Sequence, residues 1–316
     1  EQYPKAFIVW NIIGAANKCL GRLADASIAL SKATELNPNY ADGFNNLGIL
    51  LQDQGRVHDA IASYAKALAI KPDYAEAHYN MGNAFKDQGE SGGAVEAYKK
   101  ALAIKPDYLE AHNNMGATFQ EQGKLDEAIG AFTKAVSLNP NCVGAYYNMG
   151  TSLKDQGRFD KAVEAYNKAL AIKPDYAEAY YNMGAALKDQ GELDEAIEAY
   201  NKALAIKPDY VDAYNNMGNA LKDRGKLDEA MEAYNKALAI KPDYAKSYYN
   251  MGNALQEQGK LDEAIEAYKK TLAIKPDFAE AYNNLGAALK DQEELDEAIE
   301  AYNKALAINP DFAEVY

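Results

Sequence analysis

Cysteine, histidine and tryptophan are scarce in this 316-residue chain, which has two, three and one of them. Two cysteines, Cys19 and Cys142, cannot make a disulfide framework, and this favours a cytoplasmic over a secreted setting. They stand at different phases of the pattern described below, with no base beside them to activate a thiolate. Basic residues are outnumbered, 33 against 47 acids, for a formal charge of -14. A nucleic-acid binder needs a basic face to displace counterions, so that class is excluded. No apolar run approaches the roughly 18 residues of a membrane span, and the longest is Ala6 to Trp10. No phosphate-loop, HExxH or calcium-loop spacing occurs. No catalytic residue, metal site or cofactor is expected.

Proline is also sparse, and its placement organises the chain. Pro4, Pro38, Pro72, Pro106, Pro140, Pro174, Pro208, Pro242, Pro276 and Pro310 follow one another at 34 residues. A fixed period of this length means a solenoid, propeller or array. With position 1 set three residues after each proline, full units start at residues 7, 41, 75, 109, 143, 177, 211, 245 and 279. Nine of the 22 glycines fall at position 8 and eight at position 15.

Each unit reads as two helices, A over about positions 1–14 and B over about 18–31. Asp73 with Glu76, Asp107 with Glu110 and Asp175 with Glu178 fit a capping box for helix A. The position-15 glycine supplies a turn with positive φ, and Asp194, Asp228 and Asp262 are placed to cap helix B. At 100° per residue, positions 4, 7, 8 and 11 form the buried stripe of helix A, and positions 20, 24 and 27 that of helix B. Glu198–Lys202 and Glu232–Lys236 are i,i+4 pairs, each worth roughly 0.2–0.5 kcal/mol on a solvated face.

Large at 4, small at 8, Ala at 20, aromatic at 24, Ala at 27 and Pro at 32 is a pattern that resembles the tetratricopeptide repeat (TPR) family. The resemblance implies an all-α, right-handed superhelical solenoid of stacked helix-turn-helix hairpins, with helix A lining a concave groove that binds peptide segments of other proteins. Residues 1–6 then read as the end of a preceding truncated repeat, 7–312 as nine 34-residue units, and 313–316 as the start of another. The chain so divided reads as a fragment of a longer protein.

Positions 2, 6, 9 and 13 lie opposite the buried stripe. Position 6 is Asn46, Asn80, Asn114, Asn148, Asn182, Asn216, Asn250 and Asn284, with Ile12 the one departure. Asn is a mediocre helix former, and its amide both donates and accepts. Such a row can bond the backbone of an extended peptide; the alternatives are repeat duplication or a bond to the adjacent helix. The row is similar to the asparagine ladder in the repeat region of O-linked N-acetylglucosamine transferases, which implies peptide-binding roles for these eight. Position 9 adds Asn83, Asn219 and Asn253. Position 5 adds Tyr79, Tyr147, Tyr181 and Tyr249 as aromatic contacts. Position 13 is acidic in eight units, from Asp53 to Asp291, and Lys246 is the one base at position 2. The lysines that family members use to grip acidic C-terminal tails are missing. The groove therefore suits neutral or basic extended partners.

The expected function is a protein–protein interaction scaffold. The alternatives are the substrate-recruiting arm of a larger glycosyltransferase or sulfotransferase, and a scaffold that self-associates end to end. Two local weaknesses are expected: Ser91, Gly92 and Gly93 replace Leu-Asp-Glu in one B helix, and Glu293 replaces the position-15 glycine.

Overall fold

The computed structural model describes residues 5–310. The flanking partial repeats expected at 1–6 and 313–316 fall almost wholly outside the described residues. Every regular element among the described residues is a helix. The chain divides into two compact units, residues 1–157 and 158–316. The first contains α1 (Ala6–Cys19), α2 (Leu23–Leu36), α3 (Ala41–Asp53), α4 (Val57–Ile70), α5 (Ala75–Asp87), α6 (Ser91–Ile104), α7 (Leu109–Glu121), α8 (Leu125–Leu138) and α9 (Val143–Asp155). The second contains α10 (Phe159–Ile172), α11 (Ala177–Gln190), α12 (Leu193–Ile206), α13 (Val211–Asp223), α14 (Leu227–Ile240), α15 (Ala245–Glu257), α16 (Leu261–Ile274), α17 (Ala279–Asp291) and α18 (Leu295–Ile308). Within each unit a helix packs on its hairpin partner and on the next helix in sequence, the arrangement of an all-α repeat solenoid.

The turn inside each hairpin follows from its glycine. Gly191 has φ 89°, and the other position-15 glycines lie between 71° and 80°. That conformation lets Glu192 N–H reach Leu187 O at 3.0 Å while Gly191 N–H reaches Lys188 O at 2.9 Å. This pair of bonds satisfies carbonyls that the helix end leaves over. Glu293 adopts the same turn at φ 66°, the one non-glycine with positive φ among the described residues.

The expected caps are corrected. Helix A begins after an aromatic residue at position 34, such as Tyr74, Tyr108 or Tyr176, with no side-chain cap bond. Asp73 and Asp107 instead follow proline in a tight turn, closed by Tyr74 N–H to Lys71 O at 3.3 Å and Tyr108 N–H to Lys105 O at 3.2 Å. Proline fixes the first central φ of such a turn, so the aspartate falls one residue too early to cap. Helix B starts one residue earlier than expected, which puts Asp194, Asp228 and Asp262 in its first turn rather than at its cap. There they accept from the following repeat: Gln258 Nε2 donates to Asp228 at 2.9 Å, Gln292 Nε2 to Asp262 at 2.6 Å, and Arg224 forks onto Asp194 at 3.1 Å in both contacts. The role of position 14 as a strap between repeats was not read from the sequence, although Gln recurs there in nearly every unit.

The B-helix core matches the wheel: Ala196, Tyr200 and Ala203 are fully buried. In seven units the position-24 ring lies on the position-8 glycine. A Cβ on Gly184 would stand 2.8 Å from Tyr200 Cε1, and one on Gly116 would stand 2.7 Å from Phe132 Cε1. The buried arc of helix A is wider than the expected stripe. Position 3 (Ala77, Ala179, Ala213) and position 10 (Ala84, Ala186, Ala220) are fully buried, whereas Tyr180 at position 4 is half-buried. Helix A sits between its own helix B and the preceding one, for example α5 between α6 and α4. It therefore buries two flanks, and the second has room only for small side chains.

Candidate peptide-binding face

The remaining face of helix A is polar, with exposed carboxylates at position 13 and half-buried amides at position 6. The amides do not simply point outward. Asn46 Nδ2 donates to Asn11 Oδ1 at 3.0 Å, Asn80 Nδ2 to Asn45 Oδ1 at 3.1 Å, and Asn250 Nδ2 to Asn215 Oδ1 at 3.0 Å. Where position 5 is Tyr79, Tyr181 or Tyr249 the acceptor is a phenol. Asn114, Asn216 and Asn284 donate to Tyr79, Tyr181 and Tyr249 at 3.1, 3.0 and 3.1 Å. In each case the acceptor belongs to the preceding repeat, so the row is stitched into the array. Asn148 and Asn182 share the half-buried setting of the others.

The position-9 amides are anchored from below. Tyr98 donates to Asn83 Oδ1 at 2.7 Å, Tyr234 to Asn219 Oδ1 at 2.8 Å and Tyr268 to Asn253 Oδ1 at 2.8 Å. Asn114 and Asn284 add second bonds to Asn83 Oδ1 and Asn253 Oδ1, at 3.0 and 2.9 Å. Burial, reinforced by nearby carboxylates such as Asp87 and Asp223, pushes the phenols of Tyr98 and Tyr234 well above their ordinary range. They stay neutral donors at any physiological pH. The position-5 tyrosines carry ring contacts of their own. Tyr79, Tyr181 and Tyr249 pack their rings on Tyr108, Tyr210 and Phe278, each at 4.9 Å between centroids, and are half-buried. Tyr147 is half-buried as well.

Charge on this face is partly paired. Lys18 meets Asp53 at 3.0 Å, Lys86 meets Glu121 at 3.0 Å, Lys188 meets Asp223 at 3.5 Å and Lys222 meets Glu257 at 3.3 Å. Each pair joins position 12 to position 13 of the next repeat. The position-2 acids Asp42, Glu76, Glu110, Asp212 and Glu280 stand exposed at the opposite end of the A helices, so the face keeps a negative field.

His78 and His112 are structural. His78 Nε2 bonds Pro72 O at 3.0 Å and His112 Nε2 bonds Pro106 O at 2.9 Å. A carbonyl only accepts, so each Nε2 carries the hydrogen. Burial holds the His78 pKa below its ordinary value. Among the described residues no group of three or more His, Cys, Asp or Glu is placed to hold a metal ion, and no helix is long and apolar enough to cross a membrane.

The family model described as the cilia and flagella-associated protein 70 C-terminal domain matches residues 41–241. Three TPR models match 233–266, 252–293 and 279–312. Among solved structures, MamA is 35% identical at a TM-score of 0.51, over 52% of this chain and 97% of its own. YrrB, described as a TPR protein with an unusual peptide-binding site, is 28% identical at a TM-score of 0.53, over 58% of this chain and 95% of its own. The Cut9–Hcn1 hetero-tetramer, at 19% identity and a TM-score of 0.56 over 90% of this chain and 57% of that chain, shares the fold. No curated protein sequence matches. The matched families are repeat scaffolds rather than enzymes.

Proposed function

The chain belongs to the TPR family of protein-interaction scaffolds, and on that basis we propose that its A-helix face binds extended peptide segments of neutral or basic proteins. The observation that carries the reading is the pinned asparagine row. An asparagine amide has two donors and an acceptor. In Asn80, Asn216 and Asn250 one donor is fixed to the preceding repeat. That bond sets the amide plane in advance and in these three leaves the second N–H for a guest, whereas Asn114 and Asn284 spend theirs on Asn83 Oδ1 and Asn253 Oδ1. Preset donors bind with less ordering cost than mobile ones. Backbone recognition of this kind makes little demand on the guest's side chains, and the acidic rim supplies the charge preference. YrrB's description as a peptide-binding TPR protein supports the class of ligand.

The test is a charge series. Three fluorescent, unstructured peptides of equal length, net basic, neutral and acidic, are titrated by anisotropy. The basic peptide binds tightest, and its affinity falls with added salt; an acidic peptide binding as well as the basic one overturns the charge argument.

Two further readings stand beside this one. The resemblance of the row to that of O-linked N-acetylglucosamine transferases extends it to a substrate-recruiting arm of a larger transferase, in which the same amides hold the acceptor protein. End-to-end self-association is favoured by the apolar residues open on the first hairpin, with Ile12 61% and Ile28 68% exposed. Light scattering that stays monomeric at high concentration removes it.

A further inference from the structure

Neighbouring repeats are strapped together where an A helix ends, by a bond from position 14 to the start of the preceding B helix. Gln156, Gln190, Gln258 and Gln292 donate to Asp126, Asp160, Asp228 and Asp262, Arg224 forks onto Asp194, and the Gln88 amide bonds His58 Nδ1 at 2.8 Å. Gln54 reaches the backbone oxygen of Leu23 at 3.5 Å. One junction lacks the strap. Gln122 stands at the end of α7, and the residue placed to receive it at the start of α6 is Gly92. Nothing stands within 4 Å of a Cβ built on Gly92, and the Gln122 side chain has no hydrogen-bond partner among the described residues. Its amide is nevertheless posed like that of Gln258. In both, Oε1 is buried without a donor, and in Gln258 the Nε2 then reaches Asp228 at 2.9 Å.

The apolar seam is thinner at the same place. Leu23 and Val57, which start α2 and α4, pack against buried clusters that contain Leu50 and Ala84 of the following repeat. α6 starts with Ser91 instead. One turn further along, Val95 still shares a buried cluster with Phe119 of α7. The links between the A helices also remain. Asn114 bonds Tyr79 and Asn83 at 3.1 and 3.0 Å, Lys86 meets Glu121 at 3.0 Å, and the Tyr79 and Tyr108 rings stack at 4.9 Å. The junction is therefore held between α5 and α7 and untied between the start of α6 and the end of α7.

We propose that this junction is a hinge, at which α7 and α8 tilt against α5 and α6, pivoting on the α5–α7 links and parting the start of α6 from the end of α7. Local motion concentrates where hydrogen bonds and buried apolar contacts are fewest, and this edge has lost one of each. A carboxylate on an amide is a charge-assisted bond, stronger than a neutral one, so its absence at one junction matters most. The tilt changes the angle between α5 and α7 and with it the spacing of the amides on their common face. Gly92 thus has a mechanical role, because it removes the acceptor for a donor that is already in place. The hinge does not depend on what the A-helix face binds.

The test places pairs of spin labels on adjacent B helices of the full chain, with Cys19 and Cys142 changed to Ser. Glu96→Cys with Gly130→Cys spans the untied junction, and Glu232→Cys with Glu266→Cys spans the strapped one between α14 and α16; all four positions are exposed. The distance distribution of the first pair is at least twofold wider than that of the second. Gly92→Asp narrows it to the width of the second pair, and adding Gln122→Ala restores the breadth. Asp228→Gly widens the second pair in turn, with helicity unchanged. Equal widths across the two junctions, or no narrowing by Gly92→Asp, overturns the proposal. So does a narrowing that survives Gln122→Ala, because it assigns the effect to the helix propensity of α6 alone.

Discussion

The side-chain amide of Asn216 donates to the phenol oxygen of Tyr181, 3.0 Å away and one repeat earlier. One bond thus joins neighbouring repeats and orients a group of the candidate binding face. Removing either partner loosens the junction and the face together. A half-buried neutral bond contributes about 0.5–1.5 kcal/mol. Asn216→Ala and Tyr181→Phe each lower stability in urea by about that much, and the double variant loses less than the sum. Strict additivity means that the two do not cooperate.

Gly184 and Gly130 are both helical glycines with opposite expectations. A methyl at Gly184 would meet the buried Tyr200 ring at 2.8 Å, whereas nothing stands within 4 Å of one at Gly130. Gly184→Ala destabilises by about 1–3 kcal/mol through overpacking. Gly130→Ala gains up to about 1 kcal/mol from helix propensity. Urea midpoints that move the same way contradict the close-approach account of position 8.

Glu293 holds a turn at φ 66° that glycine makes in the other units. The left-handed region costs a side-chain-bearing residue roughly 1–2 kcal/mol. Glu293→Gly therefore slows amide exchange over residues 290–296. Unchanged exchange shows that the strain is relieved elsewhere.

Burial pushes the Tyr108 phenol up to about 12, with Glu76 adding to it. A phenol raised above its unfolded value of about 10 stabilises the fold fully below pH 10, and that contribution is lost as pH climbs towards 12. Tyr64, Tyr200 and Tyr268 are raised further by the same cause. Absorbance near 295 nm thus shows a late, steep tyrosine ionisation coincident with loss of helicity. A smooth titration centred near pH 10 with helicity intact contradicts it.

The Ser91-Gly92-Gly93 start of α6 exchanges amide protons faster than the Leu193-Asp194-Glu195 start of α12. Glycine leaves a helix more readily, and α6 lacks the first-turn acids that favour a helix start. Equal protection at 92–95 and 194–197 removes that local weakness.

Periodicity made the helices, the position-15 turn and the buried B-helix stripe of positions 20, 24 and 27 legible, because each depends on residues within one hairpin. What was missed lies between hairpins. Ala179 and Ala186 are buried by the preceding B helix, and a wheel drawn for one hairpin does not contain that neighbour. The Gln258–Asp228 strap and the Asn250–Asn215 bond join residues 30 and 35 apart, so no local spacing rule marks them. The helix A caps failed because the Pro-Asp turn moved each aspartate out of reach, and the helix B caps because that helix starts one residue earlier. The asparagine row itself was legible, but its bond to the preceding repeat was only one of the readings left open.

The central claim is that the asparagine row grips peptide backbone. The direct measurement is the affinity of a basic, unstructured peptide for the wild-type chain and for Asn80→Ala/Asn216→Ala/Asn250→Ala, well below the unfolding midpoint, together with an N-methylated peptide of the same sequence. The account predicts at least a tenfold loss in the variant with helicity retained, and a comparable loss on N-methylation of the guest. Full affinity in both comparisons contradicts it.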